Sequence, residues 1–170
     1  LLSSIDLALL RKAGCRQINI GIEKVSQNGL RFLGKKINLT GLKDKITEAR
    51  EIYGIQISAT FILGGEGESE KDIKQLVDYA KGLSLDFAHF NPLFIYPGTP
   101  LYDKVYTNKT EWVNTIFNDK LPWGEIVYES ENLNREQLLK LVDYAYMEFY
   151  RDTVWGHEQM VEDRFNIKRV

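Results

Sequence analysis

The feature that most constrains the fold is a regular alternation of strand-like and helix-like segments. The strand-like segments are short, rich in isoleucine and phenylalanine, and bounded by turn residues, as is typical of buried β-strands. We predict strands at Arg16–Glu23, Ile55–Leu63 and Asp86–Tyr96. Because a helix separates each strand from the next, the strands should run parallel with right-handed crossovers, in an α/β layer or a barrel.

Glycines and short polar residues mark the helix boundaries. A helix over residues 4–13 should stop at Gly14. Four further helices are predicted to begin at a polar cap. Ser26 should cap a helix over 27–33 and Thr40 a helix over 41–53, and Ser69 should cap the helix after the second strand. Asn134 should form a capping box with Gln137 at the start of a helix that runs to about residue 154. The last helix should bury one apolar face, made of Leu138, Leu141, Val142, Ala145 and Phe149.

The chain divides into two parts by character. Residues 108–133 contain two tryptophans and little periodicity, so we expect an irregular packed segment there. We therefore predict an α/β unit over 1–107, followed over 108–170 by this segment and a helical C-terminal extension. The chain begins at Leu1, inside a predicted helix, which indicates an excised piece of a longer protein.

Composition argues against several classes of function. The net charge is −2 over 170 residues, which gives no general attraction to nucleic acid or to anionic lipid. No apolar run approaches the roughly 20 residues that a membrane helix needs, and no signal peptide opens the chain. A cytoplasmic location is predicted. The single cysteine, Cys15, excludes an intrachain disulfide and a self-contained cluster site.

Ligands of parallel α/β folds bind at the carboxyl ends of the strands. Glu23 ends the first strand, so its carboxylate either is solvated or accepts hydrogen bonds from ligand hydroxyls. Ser58, Thr60, Ile62 and Gly64 share one face of the second strand. The hydroxyls on that face bond either neighbouring backbone or a ligand. His89, in the third strand, is expected to be a hydrogen-bonded core residue rather than a metal ligand.

Three segments resemble, in order and spacing, the C-terminal half of the radical S-adenosylmethionine (SAM) superfamily barrel. Residues 9–36 (LLRKAGCRQINIGIEKVSQNGLRFLGKK) resemble its strand-4 region. Residues 53–69 (YGIQISATFILGGEGES) resemble the strand-5 signature, and residues 91–105 (NPLFIYPGTPLYDKV) resemble the end of strand 6. The resemblance covers about residues 5–106 and implies a partial (half) TIM-type barrel with crossover helices.

The resemblance also implies roles for particular residues. Glu23 matches the position that binds the ribose hydroxyls of SAM, and Lys35 a basic position that pairs with its methionyl carboxylate. Thr60 matches a polar residue near the ribose or methionine. Four positions match segments that pack near the adenine, namely Ile62, Gly64, Asn91 and Leu93.

The sequence departs from the family pattern at two places and lacks its upstream motifs. The usual G-x-P-G-E reads Gly64-Gly65-Glu66-Gly67-Glu68, without the proline, and the usual E-S-G-S reads Glu23-Lys24-Val25-Ser26. The family's CxxxCxxC loop, whose three thiolates hold a [4Fe–4S] cluster, has no counterpart here. The parent protein is therefore expected to use SAM and the cluster to make a 5′-deoxyadenosyl radical, whereas this chain alone is expected to be inactive.

A second resemblance concerns the tail. Residues 134–152 (NREQLLKLVDYAYMEFYRD) are similar to the region after the barrel in cobalamin-dependent radical SAM proteins of the anaerobic Mg-protoporphyrin monomethyl ester cyclase type. That resemblance implies cobalamin as a further cofactor of the parent protein.

Two other interpretations remain open from the residues. The chain could derive from an unrelated barrel enzyme with Glu23 as a general base, or it could be a non-catalytic scaffold or binding module. Expected partners are a small-molecule substrate, the missing N-terminal half of the barrel, and a second copy of the chain, since a partial barrel leaves two open sheet edges.

Overall fold

A computed structural model describes residues 6–96, 98–105 and 128–151 of the chain. The strands in this part are β1 (Gln17–Glu23), β2 (Gln56–Leu63) and β3 (Phe87–Pro92). The helices are α1 (Leu7–Lys12), α2 (Gln27–Phe32), α3 (Leu42–Thr47), α4 (Glu70–Gly82), α5 (Pro100–Val105) and α6 (Arg135–Tyr150). A π-helical turn, Glu48–Ile52, extends α3.

The three strands form one parallel sheet in the order β1-β2-β3. In this sheet Gly21 lies opposite Thr60, and Thr60 lies opposite His89. The predicted α/β class and parallel strands are thereby confirmed. Because the carboxyl ends of parallel strands meet at one edge, the segments that follow Glu23, Leu63 and Pro92 emerge on the same side of the sheet.

One face of the sheet carries the hydrophobic core. Alternate residues of β2, from Ile57 to Leu63, are fully buried there, as the period of two requires. The predicted apolar face of α6 packs into the same core, and all five of its residues are buried, namely Leu138, Leu141, Val142, Ala145 and Phe149. Helix α6 thus covers the sheet together with α4, although it follows the predicted domain boundary; that boundary stays a prediction.

The outer edge of β3 is occupied by tyrosines of α6. The N–H of Ala88 donates to the hydroxyl of Tyr150 at 3.0 Å, and this hydroxyl donates in turn to the carbonyl of Ala88 at 3.0 Å. The N–H of Phe90 donates to the hydroxyl of Tyr146 at 3.1 Å. Pro92, two residues further along, has no N–H. These contacts satisfy the outward backbone donors that a sheet edge otherwise exposes.

Most predicted helix caps are confirmed. Ser26 and Ser69 accept from the N–H groups of Gly29 and Asp72, and Asn134 forms the predicted capping box with Gln137. The predicted cap at Thr40 is wrong, because α3 begins after Gly41, whose φ of 69° makes it the N-cap without a side-chain bond. The polar side chain one residue earlier cannot reach the first free N–H groups.

Two further expectations are corrected. The third strand ends at Pro92 rather than at Tyr96, because its partner strand β2 ends at Leu63, opposite Pro92, and Gly64 then turns away with a φ of 86°. His89 is exposed rather than a core residue, since the core face of β3 is taken by its neighbours Ala88 and Phe90. Residues 108–127 and the predicted end of the last helix, 152–154, lie outside the described residues. Within the described ranges, no helix is long and apolar enough to span a membrane.

Candidate functional site

Glu23 lies in a strained turn where β1 ends. Its φ is 66°, a region that residues with side chains rarely adopt, and the N–H of Lys24 donates to the carbonyl of Ile22 at 2.8 Å. This bond spans three residues, as in a γ-turn. The pairing register with β2 also shifts between Gly21 and Glu23. Such bulges re-aim a side chain at the end of a strand, and strain of this kind clusters at functional sites.

Gly21 provides the space that Glu23 requires. A Cβ added at Gly21 would lie 2.6 Å from the Oε1 atom of Glu23, closer than carbon and oxygen can approach without a shift. The carboxylate therefore folds back over the backbone of its own strand. The sequence shows a glycine here, but only the turn at Glu23 explains why a side chain at this position would displace the carboxylate.

The carboxylate of Glu23 has one partner among the described residues. Its Oε1 atom accepts a hydrogen bond from the Nζ of Lys35 at 2.9 Å, while its Oε2 atom is buried and has no hydrogen-bond partner. Glu23 is 13% exposed at its side chain and Lys35 is 42% exposed. The structure thus brings together the two residues assigned to the polar parts of SAM. Buried polar atoms are nearly always hydrogen-bonded, so a free carboxylate oxygen is a place for a ligand donor.

Three other predicted site residues share the face of the sheet opposite the core. Thr60, Ile62 and Asn91 alternate with buried residues, and Ile62 lies opposite Asn91 in the register. All three are half-buried. His89 lies on the same face beside Thr60 and was not predicted as part of the site. This face therefore presents hydroxyl, amide and imidazole groups in neighbouring rows.

The glycine-rich loop after β2 is closely packed. A Cβ added at Gly64, whose φ is 86°, would lie 2.6 Å from a methyl group of Leu138, so helix α6 requires a glycine there. A Cβ at Gly65 would meet the ring of Phe32 at 3.3 Å. Leu93 is 3% exposed and packs with Ile95 and Tyr102 in a small separate cluster. Its side chain lies inside this cluster rather than on the open face.

Lys24 is a part of this site that no pattern in the sequence indicates. It is 1% exposed, and its Nζ donates to the carbonyl of Gly64 at 2.8 Å and to the Oε2 of Glu68 at 2.6 Å. Burial lowers the pKa of Lys24, and the negative charge of Glu68 opposes that shift. The two partners are 40 and 44 residues away along the chain, so no local pattern could have paired them.

Metal binding finds no support in the described part of the chain, where no group of three histidine, cysteine or carboxylate residues could hold an ion. Cys15 is half-buried, and its thiol donates weakly to the carbonyl of Gln17 at 3.4 Å. The groups that the strand ends do present are carboxylate, ammonium, hydroxyl, amide and bare backbone. They suit an organic ligand with hydroxyl and carboxylate groups.

Comparison with solved structures shows the fold of the chain. The coproporphyrinogen III oxidase HemN of Escherichia coli, a radical SAM enzyme, superposes over 94% of this chain and 32% of its own, with a TM-score of 0.58 and 15% identity. The predicted partial barrel is confirmed, and its fold is similar to that of this enzyme. A second similar structure is TsrM of Kitasatospora setae, a radical SAM methyltransferase with cobalamin and a [4Fe–4S] cluster bound, at a TM-score of 0.47 and 23% identity over 58% of this chain and 20% of its own.

Sequence relatives include two methyltransferases and the ribosomal protein uS12 methylthiotransferase RimO of Clostridium kluyveri, which is 32% identical over 83 residues, 48% of this chain and 19% of its own. An uncharacterized methyltransferase of Pyrococcus horikoshii is 29% identical over 141 residues, which is 83% of this chain and 30% of that protein. The bacteriochlorophyllide d C-12(1)-methyltransferase of Chlorobaculum tepidum is 25% identical over 132 residues, 78% of this chain and 28% of its own. The chain therefore spans less than a third of the length of these relatives. No protein-family profile matches it.

Proposed function

We propose that this chain forms the part of a radical SAM enzyme that binds and orients SAM. The observation that carries the proposal is the free, buried Oε2 atom of Glu23, held in a strained turn at the carboxyl end of a parallel strand. A ribose presents hydroxyl donors of the kind that this oxygen lacks. Hydrogen bonds of this kind to a charged group contribute about 1.5–3 kcal/mol each.

Lys35 supplies the second polar contact in this proposal. An ammonium group has three N–H donors, so Lys35 can bind the methionyl carboxylate of SAM while it keeps its bond to Glu23. The pair would then fix the ribose and methionine ends of one ligand from a single point of the sheet.

The remaining predicted residues form the surface around the ligand. Thr60 and Asn91 offer a hydroxyl and an amide on the open face, and Ile62 offers an apolar surface between them. Gly64 presents bare backbone at the end of β2. Leu93 is buried, so we assign it a supporting role beneath the adenine rather than direct contact through an exposed side chain.

The [4Fe–4S] cluster of the parent protein would be held by residues outside this chain, because three thiolates are needed and Cys15 is the single cysteine here. When bound, the cluster supplies the electron that cleaves SAM to the 5′-deoxyadenosyl radical. The residues of this chain bind SAM, orient it and exclude water. We therefore propose that the chain is inactive alone and acts in a cytoplasmic parent protein.

The relatives favour a reaction class for that parent. Two relatives are methyltransferases and RimO is a methylthiotransferase, so we propose that the parent transfers a methyl or methylthio group. The relative named for bacteriochlorophyllide supports a small-molecule acceptor. Cobalamin remains a proposed further cofactor, since the resemblance of the α6 region to cobalamin-dependent proteins points to it.

The test compares Glu23→Gln with the wild type in the cluster-loaded full-length protein. The amide keeps the size of the side chain but replaces an acceptor oxygen and the charge. We expect the dissociation constant for SAM to rise about 10- to 100-fold, the equivalent of roughly 1.4–2.7 kcal/mol, and 5′-deoxyadenosine formation to fall at subsaturating SAM. Equilibrium dialysis and product chromatography measure the two effects.

The control is Glu51→Gln, which makes the same change at an exposed position in the π-helical turn after α3. It should leave SAM affinity unchanged. Unaltered affinity in Glu23→Gln would contradict the ribose-binding role. A wild-type protein that holds its cluster but binds no SAM would favour a scaffold or binding module instead.

A further inference from the structure

Lys24 carries a buried charge that the proposed contacts to SAM do not use. Its ammonium lies at 1% exposure between the carbonyl of Gly64 and the carboxylate of Glu68. These two acceptors are the first and last residues of the segment Gly64–Glu68, here called the glycine loop. One side chain of the β1–α2 connection therefore holds both ends of the loop after β2.

The glycine loop needs such an anchor because its own sequence does not restrict it. Gly64, Gly65 and Gly67 all have positive φ values, of 86°, 152° and 74°. Glycine loses more conformational freedom on folding than any other residue. The related family has a proline where this chain has Glu66, so the stiffness that a fixed φ would give is missing. Within the loop, one backbone hydrogen bond forms, in which the N–H of Glu68 donates to the carbonyl of Gly65 at 3.2 Å.

Stability alone does not explain the ion pair between Lys24 and Glu68, because burying charged groups is unfavourable. Removing an ammonium from water costs free energy, and the fall in the pKa of Lys24 reflects that cost. Replacing a buried ion pair by apolar side chains of similar size is often neutral or stabilising. An apolar pair cannot direct two N–H donors to a defined carbonyl and a defined carboxylate, and so cannot fix the path of a loop in this way.

The same residue also closes the turn that orients Glu23. The backbone N–H of Lys24 donates to the carbonyl of Ile22, while its side chain bonds Gly64. The position of Glu23 at the end of β1 and the position of Gly64 at the end of β2 are thus linked through one residue. A shift of the glycine loop would therefore move the turn at Glu23, and a shift of that turn would move the loop.

We propose that Lys24 is a positioning residue for SAM: with Glu68 it holds the glycine loop in register with Glu23, so that the ribose and adenine surfaces are preformed before SAM binds. The inference rests on the proposed function. It goes beyond that function, because it assigns Lys24 and Glu68 an effect through Glu23 and Gly64 rather than through contact with SAM. Preformed sites bind more tightly because less ordering is left to occur upon binding.

The experiment uses the double variant Lys24→Met/Glu68→Met in the cluster-loaded full-length protein. Both charges are removed together, so no unpaired ion is left in the interior. We expect the midpoint of urea unfolding to change little, because relief from burying two charges offsets the bond that the carbonyl of Gly64 loses. The dissociation constant for SAM should increase about tenfold, and amide hydrogen exchange in residues 65–68 should accelerate. A merely structural role would leave the last two quantities unchanged in a protein that still folds.

A charge-reversed variant, Lys24→Glu/Glu68→Lys, keeps an ion pair but removes the ammonium from beside Gly64. It should bind SAM as weakly as the apolar variant. Wild-type affinity in this variant would show that any ion pair suffices and would overturn the role of the Gly64 contact. The matched control is Lys140→Met/Glu136→Met, which removes an exposed Lys–Glu pair on α6 with a 2.7 Å contact and should change neither SAM affinity nor loop exchange.

The outcomes separate this inference from the proposed function. If Glu23→Gln weakens SAM binding while the apolar double variant does not, SAM binding stands and the positioning role of Lys24 is wrong. If the cluster-loaded wild type binds no SAM, the proposed function fails, and the positioning role fails with it. If the apolar double variant shows faster amide hydrogen exchange in the glycine loop together with weaker SAM binding, both the proposed function and the positioning role of Lys24 are supported.

Discussion

At the scale of single residues, the site depends on close approaches that leave no room for side chains. Gly21 allows the carboxylate of Glu23 to fold back, and Gly64 allows α6 to lie against the end of β2 through Leu138. The backbone conformation differs between the two positions, since Gly64 has a positive φ and Gly21 does not. A substitution at Gly21 therefore tests the need for space beside Glu23 without adding backbone strain.

We predict that Gly21→Ala impairs SAM binding more than it impairs folding. The new Cβ would lie 2.6 Å from the Oε1 of Glu23, so the carboxylate must move away from Lys35 and from the ligand. The dissociation constant for SAM should rise about tenfold or more, equivalent to roughly 1.4 kcal/mol, while the free energy of unfolding changes by less than about 1 kcal/mol. Calorimetric titration and urea unfolding measure the two.

Gly82→Ala is the control for this substitution. Gly82 ends α4, has an ordinary φ, and would place its new Cβ in open space. It should leave SAM affinity unchanged. Equal affinities for the wild type and Gly21→Ala would mean that the carboxylate of Glu23 does not have to lie where the structure places it.

At the scale of elements, helix α6 does more than cover the core. Its stripe of apolar residues packs on the sheet, while Tyr146 and Tyr150 direct their hydroxyls to the outer edge of β3. With Pro92 contributing no N–H, this edge offers few free donors to a further strand. The predicted association between copies of the chain therefore has its better opportunity at the edge of β1, and it stays a prediction.

We predict that Tyr146→Phe/Tyr150→Phe makes the protein associate. The rings keep their size, but the N–H groups of Ala88 and Phe90 lose their acceptors and α6 loses its bonds to this edge, so that a second strand can displace the rings. Leaving a buried donor unsatisfied costs about 1–3 kcal/mol, and pairing with a second strand would relieve that cost. Light scattering after gel filtration should show a concentration-dependent increase in mass, and the free energy of unfolding should fall.

Tyr144→Phe removes a hydroxyl from the same helix as a control, at a ring that lies under Lys74 rather than against β3. It should leave the mass unchanged. A double variant at Tyr146 and Tyr150 that keeps the wild-type mass at all concentrations would show that these hydroxyls do not protect the edge.

At the scale of the whole molecule, the sheet has one covered face and one open, polar face. Helices α4 and α6 lie on the covered face, and the open face carries Thr60, His89 and Asn91. In a barrel this second face would line the interior, against strands other than the three found in the described residues. The chain also matches less than a third of the length of each of the two methyltransferase relatives.

We predict that the isolated 170-residue chain does not assemble a stable [4Fe–4S] cluster. Cluster assembly in radical SAM proteins needs three thiolates, and the chain has Cys15 alone. After anaerobic reconstitution with iron and sulfide, the desalted chain should hold far less than four iron atoms and lack the charge-transfer absorption of a cluster. The full-length protein, treated in parallel, serves as the positive control. A stoichiometric cluster on the isolated chain would contradict the assignment of the ligands to another segment.

Local order was predictable from the sequence because it depends on neighbouring residues. Ser26, Ser69 and Asn134 begin helices by accepting N–H groups three residues ahead, and the second strand was placed within one residue of its observed start. The exception, Thr40, failed because the left-handed conformation of Gly41 sets the start of α3. The parallel order of the strands followed from their alternation with helices.

The site was predictable only in part, for a physical reason. Motif order indicated Glu23 and Lys35, and the structure joins them at 2.9 Å. The strained turn at Glu23, the buried contacts of Lys24 and the tyrosine bonds to β3 link residues that are distant in sequence or depend on backbone angles. Neighbouring residues decide which segments become strands and helices and which polar residues end them. Which of those residues meet depends on how the elements pack, because burial and hydrogen bonding here join residues some 40 to 60 positions apart.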